Sequence, residues 1–286
     1  MVQRIAKDKG SVLSLAQENN KRVSTETDAE IIERLRGRFE ILDDMTRAVK
    51  AGKIRSMIVT GPPGVGKSFG VEKVLEKHDV FANVANDQKL KKYEVVKGAM
   101  SALGLYAKLF AYSDPKNILV FDDCDSVLLD DLSLNILKAA LDSGSKRMIH
   151  WNTDSRLLRQ EGIPGSFEFK GGAIFITNIK FENVRSKKLK DHLEALESRC
   201  HYLDLTIDTT REKLLRIKQV VRDTGMLDDY ELEDWAKLEV VDFIVNNCER
   251  MRELSLRMVL KVADIRVSMP ANWKAVVEVT CMRNAR

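Results

Sequence analysis

The stretch Gly61-Pro62-Pro63-Gly64-Val65-Gly66-Lys67-Ser68 decides how the rest of this sequence is interpreted. It matches a phosphate-binding loop, in which a glycine and four further residues precede Gly-Lys-Ser. Residues 56 to 60 are typical of a buried strand, and residues 68 to 77 have apolar positions at helical spacing. A glycine-rich loop between a strand and a helix presents backbone N–H groups to phosphate oxygens. The sequence therefore predicts that Lys67 contacts the β- and γ-phosphates of a nucleotide and that Ser68 binds Mg²⁺.

A second motif consists of two carboxylates that follow an apolar run. The run Ile118 to Phe121 reads as a strand buried on both faces, and Asp122 and Asp123 come directly after it. A carboxylate at the end of a strand beside a phosphate loop suits Mg²⁺, and a second one can orient and deprotonate an attacking water. We expect Asp122 to bind the metal and Asp123 to act as the base. Phe69 completes the predicted nucleotide-binding set.

The pattern along the chain predicts an α/β fold followed by a helical domain. Strands alternate with helices over residues 28–206, which predicts a parallel sheet sandwiched by helices. Residues 207–286 form the predicted helical lid domain, with helices over 210–221, 231–245 and 254–267 and one strand near Val276 to Val279. Residues 1–27 are polar and predict a flexible arm. Gly37 and Gly52 are predicted to break or end helices.

The composition indicates a soluble globular protein. Apolar residues make up 44% and charged residues 31% of the chain, and no apolar run approaches the length of a membrane span. The N-terminus lacks an apolar signal segment, so we expect a cytoplasmic location and no membrane partner. The four cysteines and four histidines lack metal-ligand spacing. The net charge of +4 permits a nucleic-acid partner without arguing for one.

With these two motifs the chain resembles the AAA+ ATPases, a family of P-loop NTPases, over about residues 30 to 268. Asp122-Asp123-Cys124-Asp125 is similar to the family's Asp-Glu-x-Asp motif, with Asp123 where Glu is usual. Residues 174–178 resemble the sensor-1 strand, which implies that Asn178 hydrogen-bonds the γ-phosphate or the lytic water. Residues 254–260 resemble the sensor-2 helix, which implies that Arg257 touches the phosphates from the lid.

The resemblance also implies an assembly. Glu197-Ser198-Arg199-Cys200 is similar to the Ser-Arg-Cys segment of clamp-loader subunits, which implies that Arg199 reaches the ATP of a neighbouring subunit. Arg185 is a second candidate for this role. The resemblance thus implies ATP and Mg²⁺ as ligands and a homo-oligomer, in the form of a hexameric ring.

Two segments are candidates for contact with a substrate. The first follows the predicted strand at residues 92–97 and offers Lys97, Leu105, Tyr106 and Lys108, although a place in the core is favoured for Leu105. The second spans residues 145–172, which is long for a simple connection. Its basic and aromatic residues suit phosphate contacts and base stacking, with packing of the tryptophan on the sheet as the alternative: Lys146, Arg147, Trp151, Arg156 and Arg159.

The sequence leaves the work driven by ATP open. The overall pattern is similar to small stand-alone AAA+ proteins of tailed phages, which implies viral DNA metabolism in the host cytoplasm and DNA as a partner. The alternatives are an ATPase that remodels a protein client and an ATP-gated scaffold. The scaffold stays open because Asp123 is one methylene shorter than the usual Glu and could support only slow hydrolysis.

Overall fold

The computed structural model describes residues 25–76, 92–153 and 155–283. The chain divides into two compact units. One comprises Phe39–Thr206, and the other comprises Ile207–Arg286 with the described residues that precede Phe39. Most of the predicted arm, residues 1–27, lies outside the described residues, and the predicted domain bounds stay predictions. None of the described helices has the length and apolar character needed to cross a membrane.

The first unit is built on a parallel sheet and a small hairpin. The described strands are β1 Ser56–Thr60, β2 Tyr93–Lys97, β3 Ile118–Asp122, β4 Met148–His150, β5 Ser166–Glu168, β6 Gly172–Thr177 and β7 His201–Asp204. Five of them form a parallel sheet in the order β2-β3-β6-β1-β7, and β4 pairs with β5 in antiparallel fashion. All residues of β1, β3 and β6 are buried, as expected for central strands covered on both faces.

Helices surround this sheet. Those described before Ile207 are α1 Asp28–Lys50, α2 Lys67–Glu76, α3 Ala102–Ala111, α4 Ser126–Leu129, α5 Asp131–Ala140, α6 Arg156–Gln160 and α7 Lys187–Glu197. Alternate residues of β3 lie in two different hydrophobic cores. Leu119 and Phe121 pack in one core with residues of α3, α5 and α7. Ile118 and Val120 pack in the other with residues of α1 and α2. The period of two in the strands thus places helices on both faces of the sheet.

Gly37 and Gly52 differ in their effect on helix α1. Gly37 lies inside α1, so the predicted break there is wrong. A glycine inside a helix costs only about 1 kcal/mol relative to alanine, and the buried Leu35 and Leu42 on either side stabilise the helix by packing. Gly52 follows the end of α1 with φ +72°, a conformation that glycine adopts readily.

The second unit is helical. After Ile207 the structure describes α8 Thr210–Thr224, α9 Asp234–Asn246, α10 Leu256–Ser268 and α11 Trp273–Cys281. Helix α9 begins later than predicted because Glu231 ends a 3-10 turn with φ 53°. The strand predicted near Val276 to Val279 is wrong, since these residues lie in α11 and bury Val277 and Cys281 on one helical face. The predicted fold class, a parallel α/β sheet of the P-loop type with a helical part after it, is confirmed.

Candidate functional site

The loop between β1 and α2 depends on its glycines. Gly61, Gly64 and Gly66 have φ values of 149°, 71° and 102°, which other residues rarely adopt. A Cβ atom added to Gly61 would lie 3.0 Å from the backbone carbon and oxygen of Leu205. The loop therefore approaches the chain after β7 too closely for a side chain at this position. Glycine-rich loops of this kind can present backbone N–H groups to phosphate oxygens.

Lys67 joins this loop to the end of β6. It is 5% exposed although it carries a charge. Its Nζ donates to Gly61 O at 2.8 Å, to Pro62 O at 2.9 Å and to Asn178 Oδ1 at 2.8 Å. Burying a charge is unfavourable unless hydrogen bonds compensate for it, and these bonds do so. The ammonium group is thereby held within the curve of the loop.

Ser68 and Asp122 bring two oxygen ligands together. Ser68 Oγ, in the first turn of α2, donates to Asp122 Oδ1 at 2.7 Å, and Asp122 is buried at the end of β3. A hydroxyl and a carboxylate are oxygen donors of the kind that Mg²⁺ prefers, and Mg²⁺ commonly takes one or two protein ligands, with phosphate oxygens and waters completing its coordination. The pair fits Mg²⁺ bound with a nucleotide. Within the described residues, no group of three or more His, Cys, Asp or Glu side chains could hold a metal without such help.

Asp123 has a backbone conformation outside the strand region and is hydrogen-bonded to Asn178. Its φ is 51°, in the left-handed region that Asp and Asn tolerate better than most residues, and its N–H donates to Ile176 O at 3.0 Å. This conformation ends the alternation of β3. The Asp123 carboxylate accepts a hydrogen bond from Asn178 Nδ2 at 2.8 Å through Oδ1. Asp123, Asn178 and Lys67 thus form a continuous chain of hydrogen bonds.

Asp125 and Thr177 support this chain, and the sequence reasoning gave them no role. Thr177 is buried, donates through Oγ1 to Asp125 Oδ1 at 2.7 Å and accepts from Ile179 N at 3.0 Å. These bonds fix the backbone on either side of Asn178. The sequence feature that could have identified Asp125 is its place as the third acidic residue of Asp122-Asp123-Cys124-Asp125.

Lys97 lies at the edge of the site with two acidic partners. It is the last residue of β2, and its Nζ lies 2.9 Å from Glu72 Oε1 and 3.5 Å from Asp122 Oδ2. The hydrogen bond to Glu72 raises the pKa of Lys97, so this side chain is protonated at neutral pH. The sequence placed Lys97 among the substrate contacts, whereas the structure places it beside the predicted metal ligand.

Four further residues belong to the predicted site. Phe69 is 61% exposed, with Lys73 over its ring. The half-buried Arg199 donates through Nη1 to Ala195 O at 2.6 Å, and its Nε is buried without a hydrogen-bond partner among the described residues. Arg185 is exposed on the first unit, and Arg257 is exposed on α10 of the helical unit. The roles of these four residues stay predictions.

The 145–172 segment uses two of its candidate residues for packing. Arg147 is buried, donates to Ala140 O and Gly171 O at 3.2 and 3.0 Å and lies over the Phe169 ring; burial lowers its pKa to about 10. The Trp151 ring centroid lies 5.5 Å from that of Tyr106 within a hydrophobic core. Burial of Arg147 contradicts its suggested contact with nucleic acid. Trp151 is half-buried and packs against Tyr106 of α3, and its contact with nucleic acid stays a prediction. Lys146, Arg156 and Arg159 are exposed.

The candidates after β2 are also mostly structural. Leu105 and Tyr106 are fully buried, and the Tyr106 hydroxyl donates to Pro164 O at 2.8 Å. The predicted core position of Leu105 is confirmed, and the suggestion that Tyr106 faces a substrate is wrong. Lys108 pairs with Glu94. Of the four candidates in this segment, Lys97 and Lys108 thus remain available for contact with a substrate.

Comparisons with known proteins give a sequence relative and a structural likeness. No family model matches the chain. The chain aligns with one chain of a structure of the S. cerevisiae Hsp104:casein complex in its extended conformation, with a TM-score of 0.47 and 16% identity, over 83% of this chain and 39% of that one. It therefore spans well under half of that neighbour.

The sequence relative is a protein of Enterobacteria phage T4. It is described as the uncharacterized 36.7 kDa protein in the nrdC-mobD intergenic region and is 36% identical over 245 residues, which cover 85% of this chain and 73% of the phage protein. This identity extends over most of both chains. The chain belongs to the same family as this phage T4 protein.

Proposed function

We propose that this chain is an AAA+ ATPase that binds and hydrolyses ATP. The observation that carries the proposal is the pair of linked contacts at the ends of β3 and β6. Ser68 meets Asp122 at 2.7 Å, and beside them Lys67 is joined through Asn178 to Asp123. The motifs that suggest these roles are far apart in sequence, and the parallel sheet brings the residues together at one edge.

ATP binding is assigned to the loop and the start of α2. Gly61, Pro62, Pro63, Gly64, Val65 and Gly66 supply the backbone that surrounds the phosphates, and Lys67 supplies the charge. Phe69, exposed next to Ser68, is assigned to the nucleotide contacts as well. Ser68 and Asp122 would hold Mg²⁺, which when bound neutralises negative charge on the phosphates.

Hydrolysis is assigned to Asp123 and Asn178. A water oxygen attacks the γ-phosphorus, the bond from that phosphorus to the β,γ-bridging oxygen breaks, and ADP leaves with the electron pair. Asp123 accepts the proton of the water, and Asn178 orients the water or the γ-phosphate. The hydrogen bond between Asp123 and Asn178 gives the carboxylate a fixed position. ADP and inorganic phosphate are the products.

The same bond favours a second candidate, an ATP-gated scaffold with slow hydrolysis. Asp123 is shorter than the usual Glu, and its Oδ1 is already engaged by Asn178. A carboxylate held back from the water would bind ATP normally and turn it over slowly. Tight ATP binding with a turnover far below the usual enzyme range of about 1–1,000 per second would favour the scaffold.

We further propose that the site is completed by an arginine of a second subunit in a ring of six. Arg199 and Arg185 are the candidates, and the guanidinium is suited to a transition-state phosphate because it is planar and always charged. Mixing Arg199→Ala with Asp123→Asn subunits should restore activity, because some interfaces then combine an intact Asp123 with an intact Arg199. The measurement is phosphate release across mixing ratios, beside the matched mixture with Arg185→Ala.

The outcomes separate the two arginines. Recovery only in the Arg199→Ala mixture assigns the role to Arg199, and recovery only in the Arg185→Ala mixture assigns it to Arg185. Inactive single variants with no recovery at any ratio would contradict an arginine supplied by a neighbour.

We propose DNA, or a complex bound to DNA, as the substrate, with a protein client as the alternative. The support is the exposed basic residues of the 145–172 segment, Lys146, Arg156 and Arg159. Phosphate release should rise on addition of single- or double-stranded DNA, and DNA affinity should fall steeply with salt. A triple substitution of these residues to alanine should remove the stimulation and leave the basal rate unchanged. Indifference of wild type to both DNAs would favour a protein client.

A further inference from the structure

Asp122, the predicted metal ligand on β3, belongs to a cluster with Ser68 and Glu72 of α2 and Lys97 of β2. Ser68 and Glu72 lie four residues apart on α2 and so share one helical face. Lys97 ends β2 and is the register partner of Asp122 on β3. The contact between Lys97 and Asp122 therefore follows from strand pairing, rather than from a chance side-chain conformation.

The two oxygens of Asp122 have different partners. Oδ1 accepts from Ser68, while Oδ2 lies 3.5 Å from Lys97 Nζ. Lys97 is shared with Glu72, which is closer to it, at 2.9 Å. An ammonium group near a carboxylate oxygen interacts with the negative charge that would otherwise attract a metal ion. It also repels a metal ion bound nearby.

We propose that Lys97 is a positioning residue that competes with Mg²⁺ for the Asp122 carboxylate and thereby sets the Mg²⁺ concentration at which the site is filled. Glu72 is the alternative partner that holds Lys97 when Asp122 binds the metal. This inference rests on the proposed function, because it requires Asp122 to be a Mg²⁺ ligand of a nucleotide site.

The test is a Mg²⁺ titration of the protein bound to mant-ADP, a fluorescent nucleotide that is not hydrolysed. Lys97→Met should lower the Mg²⁺ midpoint about threefold or more. The ion pair of an exposed lysine has a modest energy, but the repulsion that the substitution removes acts on a divalent ion. Glu72→Gln should raise the midpoint. In the Lys97→Met background Glu72→Gln should have a much smaller effect, because it acts through Lys97. Affinity for mant-ADP in EDTA should change little in Lys97→Met.

Lys274→Met is the matched control. Lys274 is 54% exposed and lies 2.8 Å from a carboxylate oxygen of Glu239, whereas Lys97 is 60% exposed and has Glu72 at 2.9 Å. The control should leave the midpoint unchanged. Normal mant-ADP binding with an unchanged or raised midpoint in Lys97→Met would overturn this inference alone. Absence of nucleotide binding at every Mg²⁺ concentration would overturn the proposed function and this inference with it.

Discussion

Asp123→Asn is expected to lower the turnover of ATP by about 100- to 10,000-fold, the usual contribution of a general base, and to leave ATP affinity close to that of wild type. An amide cannot accept the proton of the attacking water. It can still accept the hydrogen bond from Asn178, which spans 2.8 Å to Oδ1 of the native residue. Asn also tolerates φ 51° as well as Asp does, so the substitution changes the chemistry without a backbone penalty.

The control for this prediction is Asp123→Glu, which introduces the residue that is usual in the AAA+ motif that this sequence resembles. It keeps a carboxylate and lengthens it by one methylene, so it should retain measurable turnover. Single-turnover phosphate release separates the chemical step from product release. Full turnover by Asp123→Asn would remove Asp123 from the role of base.

Lys67→Ala is expected to weaken ATP binding by about 100-fold or more. Hydrogen bonds to charged groups contribute about 1.5–3 kcal/mol each, and an ammonium near two phosphates makes more than one. The readout is the rise in thermal midpoint caused by ATP, because ligand binding to the folded state stabilises it in proportion to the logarithm of concentration over Kd. Wild type should show a rise, and Lys67→Ala should show a much smaller one at the same ATP concentration.

Lys67 also binds the carbonyls of Gly61 and Pro62, so its removal changes the loop itself. The midpoint without ATP reports that structural effect separately. Lys53→Ala, which removes an exposed lysine of the same unit, serves as the control and should keep the full response to ATP. An undiminished ATP response in Lys67→Ala would show that the loop is not the nucleotide site.

The sheet and the central site were predictable because they depend on local patterns. Buried strands give continuous apolar runs, so β1, β3 and β6 were located from sequence, and their parallel arrangement places the residues that follow them at one edge. Lys67, Ser68, Asp122 and Asp123 were identified by position relative to a strand, and Asn178 by the resemblance to the sensor-1 strand. These residues come together because the carboxyl ends of the parallel strands lie at the same edge of the sheet.

The failures have a different cause, since they depend on contacts between distant segments. The sequence shows that Arg147 is basic, but not that it binds the carbonyl groups of Ala140 and Gly171. The pairing of Lys97 with Asp122 needed the register of β2 on β3. The β-branched residues near Val276 suggested a strand, whereas packing of one face against the helical core made a helix.

The ATP-hydrolysing site is best tested by phosphate release from ATP, followed over a range of protein concentrations with and without Mg²⁺. We expect release that requires Mg²⁺, rises more than linearly with protein concentration as subunits assemble, and is absent from a Lys67→Ala preparation made in parallel. Release of equal size from Lys67→Ala, or no release from wild type at any concentration, would contradict the claim that Lys67, Asp122, Asp123 and Asn178 form an ATP-hydrolysing site.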